Sequence, residues 1–511
     1  MKTSLVNTII VLAACCLAHV HHLRADTTIQ VSIDLSLDTV QAPSSYLGLS
    51  HEPITTARQV LPTLQYRNFI KLLSSFQTGP FIIRWGGNAQ DNQLDIIEDE
   101  HWISMRDLHQ ETGVQYMIGL NLAARDPGLA VTQVGNAMRF LPPGAILAFN
   151  IGNEADAFMY KRNKTVFQAD YWKNGWFTDI TAYCNALQPL FMQYFNHTKL
   201  VTGPGGADMT MWKGEQAQKF AGLQPLAPFA AMLTAHFYTA RATAPGANTS
   251  TFLAEPVMAL VSRRVQYWVR WANLYKIQFR LEETNTLALS GLAGASNTLG
   301  AALYYIDYAL SMMQIGVSGL NFHDSYCSPY SPIMFPSVCL PNVSLGACPD
   351  LCSHPEAMPY VSAPYYGLLF LQMALQSLPQ LYVASAVHRT PNVPNIKTYV
   401  LRSRDELRIV LVKKDGVTPA IINLTLNVAW GRPGVLKVLQ GPTITALAQD
   451  MNLAGQQVSA DGFLSGVEEL QHVTVTSDDS SSTYSITMPP FSAGLLIIPS
   501  DGETDGSLAV C

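Results

Sequence analysis

Eight short apolar runs occupy residues 45 to 324, each closed by a polar or glycine-rich cluster and followed by a longer stretch of helical pattern; nothing else in the chain constrains its fold as much. The runs are SYLGLS (45–50), FIIRWG (81–86), QYMIGLN (115–121), ILAFNIG (146–152), KLVTG (199–203), LTAHFY (233–238), IQFRLE (277–282) and GVSGLNF (316–322). Apolar runs this short, bounded by turn residues, read as buried strands. One interval carries a clear helical stripe: Leu299, Leu303, Ile306 and Leu310 recur at spacings of 4, 3 and 4, the seam that a helix lays against a core. Eight strand–helix units in this span predict a (β/α)8 TIM barrel. The rival is an open doubly wound sheet, whose dinucleotide-binding form lacks support because no G-x-G-x-x-G follows the first strand.

The flanks have a different rhythm. Ile29, Val31, Ile33 and Leu35 alternate with Gln30, Ser32 and Asp34, the pattern of a half-buried strand. After about Ser377 short strand-like runs dominate: 397–403, 407–414, 420–428, 435–440, 472–476, 484–489 and 493–499, separated by turns such as Asp415-Gly416. They predict an all-β sandwich, whose exposed edges the N-terminal strand can help to cover. The expected organisation is a signal peptide at 1–25, an N-terminal strand at 26–42 that joins the β domain, a catalytic barrel at 43–376 and a β-sandwich at 377–511. No Pro/Ser-rich linker separates barrel from sandwich, so the two are expected to pack rigidly.

Composition narrows the function. Hydrophobic residues make up 48% and charged residues 13% of the 511, enough apolar surface for large cores and too much for disorder. The net charge of -6, with no Lys/Arg run, excludes a nucleic-acid partner, which needs a concentrated basic face. Lys2, the apolar stretch Ile9 to Ala18 and the small residues Ala18 and Ala25 form a secretory signal. No other segment approaches the ~18 apolar residues of a membrane span. Beyond the signal lie Cys184, Cys327, Cys339, Cys348, Cys352 and Cys511. The four between 327 and 352 read as a disulfide-stapled loop. They have 11, 8 and 3 residues between them and no CxxC, which disfavours zinc. Glycosylation sequons begin at Asn163, Asn196, Asn248, Asn342 and Asn423. All of this suits a secreted chain; its oligomeric state is left open.

In a barrel the active site forms where the C-terminal strand ends meet. Glu154 follows the fourth run directly after Asn153, and Glu282 and Glu283 end the seventh. His236 and Tyr238 close the sixth, Glu52 follows the first, Asn88 the second, and His323 and Asp324 the eighth. Carboxylates on strands 4 and 7 face each other across the mouth. Such a pair serves glycoside hydrolysis, where the leaving oxygen is protonated while the anomeric carbon is attacked. A separation of about 5–5.5 Å gives direct attack and retention. An amide such as Asn153 suits the sugar 2-OH, and Tyr238 suits a hydrogen bond to the nucleophile. Strand alternation turns one of Glu282 and Glu283 inward and the other away, and position alone does not choose between them. A general acid at Glu154 is expected to have a raised pKa in the free enzyme.

The segments SYLGLSHEP, IIRWGGNAQD, AFNIGNEADAF, HFY, EETNTLALSGLAGASNTLGAALYYIDYAL, GLNFHDSYCSPYSP and AGLLIIP resemble, in order through the mature chain, glycoside hydrolase family 79, which holds heparanase and the fungal and plant β-glucuronidases. The resemblance implies Glu283, before Thr and Asn, as nucleophile and Glu154 as acid/base. It implies substrate contacts at Glu52, Asn88, Asn153 and Tyr238, and Tyr330 in YSP matches a carboxylate-binding tyrosine; His236 is a further candidate substrate contact, with a satisfied core histidine as the alternative. It further implies hydrolysis of β-linked glucuronides in a glycan partner, with retention and with no metal or organic cofactor. One departure is visible: Asp324 and Ser325 stand where similar β-glucuronidases carry Gly-Gly, and an ionised Asp there repels a uronate unless a cation or proton intervenes. A 4-O-methylglucuronoside, a neutral sugar, a heparanase-like endo activity (disfavoured by the lack of a basic cluster), a catalytically silent carbohydrate-binding protein and an adhesion ectodomain are the alternatives.

Overall fold

The computed structural model describes residues 27–500 apart from 37–39, 54–55, 77–78, 94–96, 163–165, 169, 174, 208–213, 337–357, 377–381, 385, 389–395, 404 and 417. The expected signal peptide, Cys339, Cys348, Cys352 and Cys511, and the sequons at Asn163 and Asn342 lie outside the described residues.

The eight apolar runs form eight parallel strands: β1 Leu47–His51, β2 Ile82–Trp85, β3 Gln115–Leu120, β4 Ile146–Ile151, β5 Val201–Gly206, β6 Ala230–Arg241, β7 Gln278–Ala288 and β8 Gly319–Asp324. Each pairs with the next and β8 closes on β1, so the sheet is a closed barrel and the doubly wound alternative is excluded. Residues of one parity, among them Leu49, Ile83, Trp85, Phe149, Leu281 and Leu320, join the large core beneath the helical ring. The other parity fills the interior. A small apolar plug of Ile82, Met117, Ala148 and Met232 is present there. One step along each strand the filling is polar, with Arg84, Asn150, Thr202, His236 and Glu282 at 0–1% exposure. A lone cation or carboxylate in so dry a place needs a partner, so the interior itself announces a charged network.

The helix Leu299–Gln314 carries the anticipated stripe but is buried almost all round. Its outer face meets the β domain: Ser311 and Asp307 hydrogen-bond the Tyr399 hydroxyl, and Lys414 pairs with Asp307. Tyr399, Val410 and Leu495 of the β domain belong to the same apolar core as the barrel helices.

The β domain is a sandwich of two sheets. One is ordered Ala386–His388, Thr27–Ile33, Ala420–Leu426, Ser482–Met488, Val475–Ser477, and the other is built on Gly434–Gln440, Ser492–Pro499, Glu406–Lys413 and Ile396–Arg402. The N-terminal strand Thr27–Ile33 runs parallel to Ala420–Leu426 in full register. Its Ile29, Val31 and Ile33 meet Ile409, Leu424, Ile486 and Leu496 between the sheets.

Candidate active site

Glu154 sits just past β4 in a tight reversal. Gly152 has φ 83°, and Glu154 itself is held in the left-handed region at φ 54°, a conformation that costs an L-residue about 1–2 kcal/mol. The surroundings impose it: Glu154 N–H donates to Gly205 O at 3.1 Å, and Asn153 N–H to Asp91 Oδ2 at 2.8 Å. Asp91 also accepts from Leu122 and Ala123 N–H, tying the loops after β2, β3 and β4 together. Burial pushes its carboxyl up to about 6, against those hydrogen bonds.

Glu283 is presented by an irregularity in β7. Ala235 pairs with Leu281 and His236 with Glu283, so Glu282 is left over in the ladder. A residue inserted this way re-aims its neighbours, and both glutamates face the barrel axis. Strict alternation, which assigns one of them outward, does not hold here. Glu282 lies below, fully buried, accepting from Asn150 Nδ2 at 3.0 Å and 3.6 Å from His236 Nε2. Glu283 lies above, at the mouth. Its Oε1 accepts from the Tyr238 hydroxyl at 2.9 Å and its Oε2 from Arg84 Nη1 at 2.8 Å.

His236 joins the two sides. Its Nδ1 is 3.0 Å from Glu154 Oε1 and 3.6 Å from Glu283 Oε2. A ring nitrogen of His236 and one oxygen each of Glu154 and Glu283 all lie within 4.8 Å of one another. The trio has the donor types of a metal site, but its charge is already matched. Arg84, His236 and Lys161 stand against Glu154, Glu282 and Glu283, and an added divalent cation would meet this positive set.

The electrostatics divide the roles. Burial alone favours the neutral acid of Glu283, but the imidazoles of His323 and His236, the Arg84 guanidinium and the Tyr238 hydroxyl outweigh it and hold the carboxyl well below the usual range. Burial disfavours a charged His236, yet Glu283 and the bond to Glu154 push the ring up to about 9. The expectation of a raised pKa at Glu154 is reversed. Burial does raise it, but the hydrogen bond and charge of His236, with the Lys161 ammonium on Oε2, lower it by more.

The other anticipated residues take distinct places. Asn153 Oδ1 accepts from Arg84 Nη2 at 2.8 Å. Glu52 spends both oxygens on the turn after β2, accepting from Asn88 N–H at 3.0 Å and Ala89 N–H at 2.8 Å; its carboxyl is raised by burial. Gly87 there has φ 120°, and a Cβ on it would lie 2.6 Å from Glu52 Oε1. Asn88 is exposed, and its side chain meets the centre through Lys161, which donates to its Oδ1 at 3.1 Å. Tyr330 stacks on Tyr238 at 6.4 Å and lies edge-on to His323 at 5.9 Å. Asp324 is fully buried and turned into its own loop, accepting from Tyr326 N–H at 2.8 Å and Ile333 N–H at 3.2 Å. Burial pushes it up to about 7, which removes much of the repulsion anticipated from its position. Asn285 Nδ2 fastens that loop through His323 O and Tyr330 O.

Arg84 and Lys161 were missed by sequence reasoning. Arg84 had a partial signal, since a lone cation inside FIIRWG needs buried acceptors, although its run alone does not say whether they are carboxylates. Lys161 had none.

No protein-family model matches the sequence, and no curated protein does. Among solved structures the chain is similar to a 4-O-α-L-rhamnosyl-β-D-glucuronidase from Fusarium oxysporum 12S, seen in a Rha-GlcA complex: TM-score 0.72, 17% identity, 92% of this chain and 99% of that one. A family 51 α-L-arabinofuranosidase from Bifidobacterium longum gives TM-score 0.63 at 13% identity, over 92% of this chain and 100% of that one. An α-L-arabinofuranosidase from Thermotoga maritima gives 0.61 at 12%, over 92% and 100%. At such identities the likeness establishes the fold: a (β/α)8 barrel with an attached β-sandwich.

Proposed function

We propose that this protein is a retaining β-glycosidase with Glu283 as nucleophile and Glu154 as acid/base. One observation carries the reading: an oxygen of Glu154 and an oxygen of Glu283 lie within 4.8 Å of each other at the barrel mouth, both bordering His236 Nδ1, a closeness that suits the ~5–5.5 Å carboxyl separation of direct attack. Glu283 attacks the anomeric carbon as Glu154 gives a proton to the departing oxygen. Glu154, now a carboxylate, then takes a proton from the water that releases the sugar. Arg84 and Tyr238 keep Glu283 ionised and leave each oxygen a free lone pair. Asn153, oriented by Arg84, is the candidate partner of the sugar 2-OH.

The substrate we assign is terminal β-linked glucuronic acid, or its 4-O-methyl form, on a glycan outside the cell. The sequence segments quoted above, the uronate in the Fusarium enzyme's complex and the inward turn of Asp324 support it. The signal-like N-terminus supports secretion. No helix among the described residues is long and apolar enough to cross a membrane. A panel of aryl β-glycosides tests the reading: the β-glucuronide should be cleaved with retention, as proton NMR of the first-formed anomer reports. Cleavage of neutral glycosides alone overturns the uronate assignment, and sugar binding without any cleavage overturns the enzyme.

A further inference from the structure

We infer that Lys161 is a positioning residue of the leaving-group side, held on the acid/base Glu154 in the empty enzyme and drawn off it by a carboxylate on the substrate's aglycone. The inference rests on the glycosidase reading above.

Lys161 ends the four-residue helix Phe158–Lys161, which follows directly on Glu154 through the turn Ala155–Ala157. Its ammonium donates to Glu154 Oε2 and to the exposed Asn88 amide. The neighbouring Arg162 is 14% exposed at its side chain and is held by Asn88 O, Asn92 and the face of Phe158. Lys161, by contrast, is 37% exposed at its side chain, on a flexible four-carbon stem. The two oxygens of Glu154 look opposite ways chemically. Oε1 takes His236, which also borders Glu283 and so faces the nucleophile; Oε2 takes the more exposed Lys161, the side assigned to the leaving group.

An ammonium seated on Glu154 opposes its service as an acid, adding to the His236 bond and charge that already favour the carboxylate. The groups facing Glu154 are His236 from β6, Glu283 from β7, with Glu282 and Arg84 beyond, and Lys161, itself near Asp156. All but Lys161 and Asp156 are locked in the barrel interior or on its inner wall, so Lys161 is the charge that can move. When a carboxylate on the aglycone takes the ammonium, Glu154 binds one proton from solvent. It passes that proton to the glycosidic oxygen as the C–O bond breaks and the Glu283 oxygen bonds to the anomeric carbon. An acidic aglycone thus arms the acid that expels it.

The test compares a meta-carboxyphenyl with a meta-carbamoylphenyl β-glucuronide across pH, for wild type, Lys161→Met and Lys161→Arg. Wild type should prefer the carboxylate in kcat/KM. In K161M that preference should fall about tenfold, and the basic limb for the carbamoyl substrate should move up by about one pH unit. K161R should keep the preference. An active K161M, folded by thermal melting, with both the preference and the limb of wild type overturns the proposal. A wild type that cleaves no glycoside overturns the glycosidase reading along with it, a separate result from the first.

Discussion

Arg280 and Arg84 both lie inside the barrel, at 2% and 0% exposure, but at opposite levels. Arg280, low on β7, is satisfied by neutral acceptors: Asn321 Oδ1 at 2.6 Å, Ser45 O at 2.7 Å, and the carbonyls of Tyr46 and Leu320. With no carboxylate in contact, burial lowers its guanidinium to about 9. Arg84, at the mouth, touches Glu283 and approaches Glu282 at 4.0 Å; burial disfavours its charge too, but the carboxylates more than compensate and raise it. Dipoles suffice to seat a cation in a plug. At the mouth, full opposing charges hold Glu283 ionised, and loss of the cation there leaves buried carboxylates unpaired.

Four outcomes sharpen or break this contrast. The largest is Glu283→Gln, which should lower kcat by about 10⁴-fold or more while the protein stays folded; retention of a tenth of the activity in an assay free of wild type contradicts the role. Next, Arg84→Met should cost about 10²–10³ in kcat/KM and about 3–5 kcal/mol in urea unfolding, because buried carboxylates lose their counterion. Arg280→Met should cost about 1–3 kcal/mol, for carbonyls left unpaired, and leave the pH–rate profile of wild type. Equal pH profiles for the two variants would erase the distinction.

A third outcome concerns pH. His236 is raised in the fold, so its contribution is fully present below the unfolded value of ~6.5 and is lost as pH rises through about 9. Wild-type melting temperature should therefore fall across that window, and His236→Asn, already destabilised at pH 6, should show a flatter profile there. The smallest effect is at Asp324. Its carboxyl is also raised, so the protonated form is the stabilised one, and stability is lost between an unfolded value of ~3.9 and about 7. Asp324→Asn should remove that slope and change stability at pH 5 by only ~1 kcal/mol.

Much of the scaffold was legible in the sequence because strand parity is local. Ile83 and Trp85 turn to the helices while Ile82 and Arg84 turn inward, as a period of two requires. Where neighbours distant in sequence decide, the reading fell short. The stripe on Leu299–Gln314 gave no hint that Tyr399 and Lys414 bury its other face. The single run HVTVT resolves into Gln471–Val473 and Val475–Ser477, which pair in different sheets. In the site, the strand-end positions of Glu154, Asn153, Tyr238 and the Glu282–Glu283 pair were legible, but not which glutamate of the pair lies at the mouth. The extra residue that turns both Glu282 and Glu283 inward was not, nor was the left-handed turn at Glu154 that brings Lys161 back onto it. Both are backbone events that residue identity does not encode locally.

In the proposed reaction Glu283 bonds to the sugar. A 2-deoxy-2-fluoro-β-glucuronosyl fluoride, which slows release of the intermediate more than its formation, tests it directly by mass spectrometry of the digested protein. The expected result is a single added fluoroglucuronosyl group on the peptide containing Glu283, absent in Glu283→Gln. A label on Glu154 or Glu282, or an active enzyme that takes no label and yields the inverted anomer, contradicts it.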